Sequence, residues 1–235
     1  MEINEWGTEP EFFGPRHYYR ETLLLNNINK FLKGGKILDA GFGNGSLSIR
    51  ASSKKFDITG IDLSEKFVEY VSEKIKDFPN IKVKQGDITA LPFEQDSFDG
   101  VFCGEILEHI EDDNKAASEL NRVLKKDGVV VLSVPANPKL WDKSDDWASH
   151  HRRYTKKGLK TLLENNGFKV EKIHYWGFPL TRFYHRKLFL KTIDNKKLKK
   201  SKIKKYSKPL SNIFKIDSLF NWTDKGIGLI AIARK

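Results

Sequence analysis

The sequence holds little that could cross-link it or carry it through a membrane. One cysteine, Cys103, stands among 235 residues. That excludes an intrachain disulfide framework and a zinc site built from cysteines alone, and it fits a reducing compartment. No apolar run approaches the roughly 18 residues that a bilayer span needs. The opening residues, MEINEWGTEPEFF, put acidic groups where a secretory signal has a basic patch followed by an apolar stretch. These absences point to a cytoplasmic chain. Internal repeats are also missing, and a chain of this length buries one substantial core, so a single domain over residues 1–235 is expected.

Positive charge is plentiful, with a formal net charge of +11, but it is local. Between Phe178 and Lys215 there are 13 Lys or Arg against one acid, Asp194, and the rest of the chain holds 29 basic and 30 acidic residues. The basicity therefore belongs to one segment rather than to a whole nucleic-acid-binding surface.

From about Lys36 onward, strand-like and helix-like stretches alternate, which is the pattern of a parallel sheet covered by helices on both faces. Short β-branched runs bounded by Gly, Asp or Pro predict strands at 36–41, 57–62, 81–87, 98–104 and 128–135, with further strands at 168–176 and 227–234. Helices are predicted at Ser46–Ser53, Ser64–Asp77, Asp112–Leu124 and from Thr155 through Leu163, with Ser64, Asp112 or Asp113, and Thr155 as N-caps. Residues 1–33 read as an N-terminal helical arm, with Pro15 ahead of a run that puts Tyr18, Leu25 and Ile28 near one face. Residues 178–222 form an insert between the last two strands. Ile203, Tyr206, Leu210 and Ile213 fall there at helical spacing, with Pro209 expected at a helix start or kink. The expected fold is thus α/β and doubly wound, with a mostly parallel seven-stranded sheet, the helical arm and the basic helical insert.

After the first strand, ILDAGFGNG places Gly41, Gly43 and Gly45 in a tight turn opening a helix, where backbone N–H groups can approach a ligand with no side chain between. Asp62 closes the second strand 21 residues after Gly41, where a carboxylate can take both ribose hydroxyls. A dinucleotide fingerprint asks for a third glycine at position 46 to seat a pyrophosphate, and that residue is Ser46.

The GxGxG turn without that glycine, Asp39 inside the first strand and the Gly86–Asp87 pair ending the third together resemble the class I S-adenosylmethionine-dependent methyltransferase family. The segment LPFEQDSFDGVFCGEILEHI (91–110) looks like the family as well. The resemblance runs from about Phe12 to the C-terminus apart from the insert. It implies a Rossmann-like methyltransferase fold whose seventh strand runs antiparallel between the fifth and sixth. It also implies S-adenosylmethionine as cofactor. Gly41, Gly43 and Gly45 would pass the methionine moiety, Asp62 with Leu63 would meet the ribose, Asp87 and Ile88 the adenine, and Asp39, Gly104 and Glu105 would complete the cofactor set. FFGPRHYYRETLL and SHHRRYTKKGLKTLLENNGFKV look like bacterial and archaeal members acting on small or lipid- and sugar-linked molecules, including quinone-type O-methyltransferases.

A sulfonium methyl is already activated, so the protein must mainly align the acceptor, exclude water and, where needed, remove a proton. Candidates lie on loops at the carboxyl ends of the strands. His150 is the expected general base, since an imidazole titrates near working pH. Tyr18, Trp147, His151, Arg152 and Tyr154 are the expected acceptor-side residues. Glu105, Glu108 and His109 form an ExxEH pattern that can share a divalent cation, with His150 completing the shell. Relatives also use such an EH pair to pack the loop over the cofactor, and no metal ligand is assigned from the sequence.

Basic charge mixed with Phe183, Tyr184, Leu188, Phe189 and Leu190 suits an anionic membrane surface or a phosphate-bearing lipid-linked substrate, and also RNA. The expected acceptor is a small, anionic or lipid- or sugar-linked molecule methylated at oxygen, with peripheral membrane contact as the companion expectation. The competing readings are a 2′-O-type RNA methyltransferase and a non-catalytic nucleotide-binding protein.

Overall fold

In the computed structural model, which describes residues 14–191 and 200–235, seven strands form one sheet in the order β3-β2-β1-β4-β5-β7-β6. They are β1 (Gly35–Ala40), β2 (Phe56–Asp62), β3 (Ile81–Gln85), β4 (Phe98–Gly104), β5 (Leu124–Pro135), β6 (Lys169–Trp176) and β7 (Gly228–Arg234). The first five run parallel, and β7 lies antiparallel between β5 and β6. β6 therefore runs parallel to β1–β5, and the chain leaving it at Gly177 emerges on the sheet edge where those strands also end.

Side chains alternate across the strands and divide the core in two. Leu38, Val101, Val130 and Leu132 face a layer with Leu120 and Leu163, carried by helices α4 (Asp113–Val123) and α6 (Lys156–Asn165). Ile37, Phe102, Val129 and Val131 face the other layer, with Leu24 and Ile28 of α1 (Pro15–Phe31), Leu47 of α2 (Ser46–Ser52) and Val71 of α3 (Glu65–Lys74). The helix starts follow their caps: Asp112 accepts from the Lys115 N–H at 3.0 Å, and Thr155 from that of Gly158 at 3.0 Å. Pro15 sits at the first helical position of α1, where its missing N–H costs nothing.

The arm and the insert differ in detail from what periodicity suggests. In α1 the buried aromatic is Tyr19, not Tyr18, which stays half-buried under the Arg50 guanidinium. A five-residue helix, α5 (Lys143–Trp147), interrupts the loop after β5. The insert contains α7 (Leu180–Tyr184), a π-turn at His185–Phe189 and α8 (Lys200–Phe214). Pro209 lies inside α8 rather than at its start. Tyr206 and Ile213 are exposed, and the inward face is Ser207, Ser211 and Phe214. The reason is the neighbour: α8 packs on α1, and Phe214 meets Tyr19 and Tyr184 edge-on or tilted. Residues 196–199 of the lysine-rich stretch 196–205 lie outside the described residues.

Candidate active site

The glycine turn crosses the carboxyl end of β1 in left-handed backbone, with φ of 76°, 51° and 71° at Gly41, Gly43 and Gly45. A Cβ on Gly45 would sit 2.7 Å from Val71 Cγ1, so close packing against α3 demands glycine there. At Gly43 nothing lies within 4 Å of a built Cβ, so the turn faces open space. Asp62 stands beside that space. Its carboxylate accepts the Gly43 N–H at 2.9 Å and the Ser64 N–H at 3.0 Å, and partial burial raises its pKa. Lone pairs remain on both oxygens for ribose hydroxyls. Leu63, 71% exposed, and Ile88, 7% exposed, follow β2 and β3 on the same sheet edge, while Asp87 is exposed and caps the turn at Ile88–Ala90. These residues fit an adenosine-like group with an unhindered glycine turn beneath it.

Asp39 is placed differently from the rest of the expected cofactor set. It is 2% exposed and accepts a 2.5 Å bond from the Ser48 hydroxyl, so it braces α2 from behind the turn instead of presenting a carboxylate to a ligand. Burial pushes its pKa up to about 7. A carboxyl with a raised folded pKa contributes its stability fully below the unfolded value, near 3.9, and loses it as pH rises toward 7. Between pH 5 and pH 8 the wild type should therefore lose on the order of 3 kcal/mol relative to Asp39→Asn, which cannot ionise. Thermal melts of both proteins across that range check this, and parallel curves would mean that Asp39 ionises without cost.

Ser46, at the position of the missing glycine, donates its hydroxyl to Glu21 of the arm. Burial alone would raise the Glu21 pKa, but bonds from His17 and Ser46 and the Arg50 guanidinium at 2.8 Å outweigh it and hold the carboxylate ionised. The start of α2 is thereby tied to the arm through the Ser46 hydroxyl, at the position where a dinucleotide fingerprint carries glycine.

The strands β4 and β5 build the other half of the site. Gly104 ends β4, and Glu105 follows in left-handed backbone with φ 59°, a strained conformation for a residue with a side chain. Its carboxylate lies 3.8 Å from Arg20 of the arm. Ile106 leans over Gly41, which joins this loop to the glycine turn. Two residues on, Glu108 is completely buried and neither carboxylate oxygen has a hydrogen-bond partner; burial, with Glu105 nearby, drives its pKa well up. His109 packs edge-to-face on His150 with ring centroids 4.7 Å apart, and burial lowers its pKa to about 4, so its imidazole is neutral at physiological pH.

His150 follows α5, and its Nδ1 bonds Asp145 Oδ1 at 2.8 Å, leaving Nε2 as the free ring nitrogen. Asp145 is fully buried and also receives a bidentate grip from Arg153, at 2.8 Å and 2.6 Å. It closes a capping box with Asp142 at the start of α5. Asp142 in turn bonds His185 of the insert at 3.0 Å, and the other nitrogen of His185 meets Arg16 of the arm at 2.8 Å. Arm, insert and the loop after β5 are tied together by this chain of charged groups.

Several expected acceptor-side residues do other work. Tyr154 is buried, its hydroxyl donating to Asp113 at 2.8 Å and the Leu107 carbonyl at 3.2 Å, so it packs the loop from beneath. Arg152 pairs with Asp113 at 2.9 Å and with the Glu111 carbonyl. His151 is exposed, while Trp147 is half-buried. The residues that sequence reading missed are Glu21, Arg16, Arg20, Asp142, Asp145 and His185. Only the Asp142-x-x-Asp145 spacing carried a signal, as a capping box with Asp in the third position.

Fold and turn together point to a class. The sheet order with its antiparallel seventh strand and the GxGxG turn resemble those of the class I S-adenosylmethionine-dependent methyltransferases, and residues 38–132 match the methyltransferase domain family. Among individual proteins, it is 40% identical over 111 residues to the demethylmenaquinone methyltransferase of Staphylococcus aureus, covering 46% of each chain. The chain therefore spans less than half the length of the curated relatives it matches. Solved structures agree in fold. The Haemonchus contortus phosphoethanolamine N-methyltransferase 2 with S-adenosyl-L-methionine has a TM-score of 0.69 at 19% identity, over 99% of this chain and 56% of that one. The [4+2]-cyclase SpnF has a TM-score of 0.70 at 20% identity, over 94% and 81%. A cyclase on the same scaffold shows that the fold alone does not fix the reaction.

Proposed function

We propose that the protein transfers the methyl group of S-adenosylmethionine to an oxygen of a small anionic acceptor, of the phosphate-bearing, lipid- or sugar-linked kind. The observation that carries this reading is the contact of the Ile106 side chain with Gly41, which brings the cofactor turn and the Glu108–His109–His150 cluster side by side. Bound there, S-adenosylmethionine supplies a methyl group activated by its sulfonium charge. Asp62 and the glycine turn hold and orient the nucleoside end. Asp145 accepts the Nδ1–H of His150, so that Nε2 can accept a proton from an acceptor hydroxyl, and the buried carboxylate then stabilises the imidazolium.

The insert supports the anionic acceptor. Seven of the nine exposed large hydrophobics among the described residues, from Phe183 to Trp222, belong to it. A cavity of about 490 Å³ at its root is lined by Phe178, Pro179, Arg182, Phe183, Arg186 and Lys187, mixing aromatic and cationic groups as a lipid headgroup surface requires. No helix among the described residues is long and apolar enough to cross a membrane, so such contact would be peripheral.

Two measurements test the reading. Calorimetry should find S-adenosylhomocysteine binding with little affinity for NAD. Asp62→Ala should weaken that binding by roughly 1–3 kcal/mol, the loss of charge-assisted bonds to the ribose; equal affinities would remove the ribose role. Vesicles containing anionic phospholipid should bind the wild type in a salt-dependent way. At about 1 kcal/mol per basic residue, the double variant Arg186→Glu, Lys187→Glu should bind roughly 10–100-fold more weakly. RNA binding without vesicle binding would replace the lipid-linked acceptor with a nucleic acid.

A further inference from the structure

The segment that follows α8 has three distinct faces. Lys215–Phe220 is a 3₁₀ helix and Asn221 keeps helical backbone after it, so residues three apart stand one above another, about 6 Å per turn. One row faces the protein. Phe214 is buried on Tyr19 and Tyr184, Asp217 accepts the Leu180 and Thr181 N–H groups at 2.8 Å and 2.9 Å, and the Phe220 ring meets Phe178 edge-on. The second row, Lys215, Ser218 and Asn221, is polar. The third is Ile213, Ile216, Leu219 and Trp222, which are 52%, 51%, 70% and 84% exposed. Single apolar side chains scattered over a surface are ordinary, but four in register form a continuous strip that water disfavours. The contacts of the first row hold this strip outward, so repacking within the fold does not cover it.

We propose that the strip Ile213–Ile216–Leu219–Trp222 is an interfacial anchor that inserts into an anionic bilayer, with Leu219 and Trp222 reaching the acyl boundary. Charge selects this occupant. Between Lys200 and Lys225 the chain carries seven lysines and two acids, and one of those acids, Asp217, is buried. The strip also adjoins the cationic cavity at the root of the insert. Phe178 lines that cavity with Arg182, Arg186 and Lys187, and the same ring touches Phe220 and lies 5.7 Å from Lys225 Nζ. An apolar strip bordered by cations matches acyl chains beneath a layer of anionic headgroups, where the ammonium and guanidinium groups stay hydrated. The Trp222 indole donates its Nε1–H to the Leu219 carbonyl at 3.1 Å, so the ring can leave water without orphaning its donor. Because β6 ends on the same sheet edge as the glycine turn, a bilayer seated on the strip lies beside that edge. Delivery of a lipid-linked acceptor from it rests on the methyltransferase reading, whereas the seating itself does not.

The test reads insertion at one position of the full chain. Cys103 is buried, so Leu219→Cys can be labelled alone with a polarity-sensitive fluorophore, and Lys126→Cys, at the opposite sheet edge, serves as control. With vesicles of phosphatidylcholine and phosphatidylglycerol, the label at 219 should brighten and be quenched by nitroxides on the acyl chains, while the label at 126 responds to neither. The unlabelled double variant Ile216→Ser, Leu219→Ser should bind these vesicles at least 10-fold more weakly. Its melting temperature and S-adenosylhomocysteine affinity should match the wild type, since both side chains are exposed. Vesicle binding that leaves the 219 label unquenched would overturn the proposal, as would unchanged binding by the double variant or equal binding to phosphatidylcholine alone. Self-association that shields the 219 label without vesicles would assign the strip to a second copy of the chain and overturn it too. S-adenosylhomocysteine binding without insertion would reject the anchor and leave the methyltransferase reading standing. Insertion without S-adenosylhomocysteine binding would uphold the anchor and reject that reading.

Discussion

Replacing His150 with alanine is expected to lower turnover by about 10²–10⁴-fold while leaving S-adenosylhomocysteine affinity unchanged, the signature of a group used in the proton-transfer step and not in cofactor binding. The separation follows from position in the fold: the proposed cofactor contacts are the turn after β1 and Asp62, whereas His150 is delivered by α5 on the loop after β5. His150 makes one side-chain bond, to Asp145, and is not part of either hydrophobic cluster, so its truncation should leave the fold intact. Turnover assays with single-turnover controls, beside calorimetry, check both halves. Wild-type turnover in His150→Ala would remove this imidazole from the chemistry, and loss of folding would make it a structural residue.

The largest structural effect is expected at Asp145. Its carboxylate is fully buried, holds His150, receives two bonds from Arg153 and accepts a further one from the Asp142 N–H at 2.7 Å. Burial would raise its pKa, but the bonds from His150 and Arg153 outweigh that and keep it low. Asp145→Ala would leave the Arg153 guanidinium, itself 6% exposed, without its main counter-charge. Breaking a buried pair from one side costs about 3–5 kcal/mol, which in a protein of this size lowers the melting temperature by roughly 6–20 °C. Asp145→Asn keeps the shape and one acceptor oxygen, so it should melt closer to the wild type yet still lose turnover through the misoriented His150. Melting curves and assays on both variants check this. An Asp145→Ala protein that melts with the wild type would show that Arg153 and His150 find other partners.

How much of this was legible in advance follows from how local each cause is. The strands and most helices could be read because β-branched runs, the caps at Ser64, Asp112 and Thr155, and the glycines at 41, 43 and 45 act over a few residues. The neighbours Arg152 and Tyr154 were misplaced for the same reason in reverse. Adjacency to His150 in the sequence says nothing about direction along an irregular loop, and both turn to Asp113 instead. In the insert, the apolar spacing of Tyr206 and Ile213 pointed outward because α8 presents small Ser207 and Ser211 to α1.

The sequence by itself determined the doubly wound α/β class, the glycine turn after the first strand with Asp62 closing the second, and the absence of the glycine that a dinucleotide needs, since each is written in spacing along one stretch of chain. Only the tertiary structure decided that Ser46 is met by Glu21 from the arm, that His150 is aimed by Asp145, that Glu108 is buried with no donor, and that His185 of the insert ties Asp142 to Arg16. Those pairings join residues up to 169 positions apart, and burial removes the water that would otherwise satisfy their charges, so their partners are fixed by packing and not by any local preference of the chain.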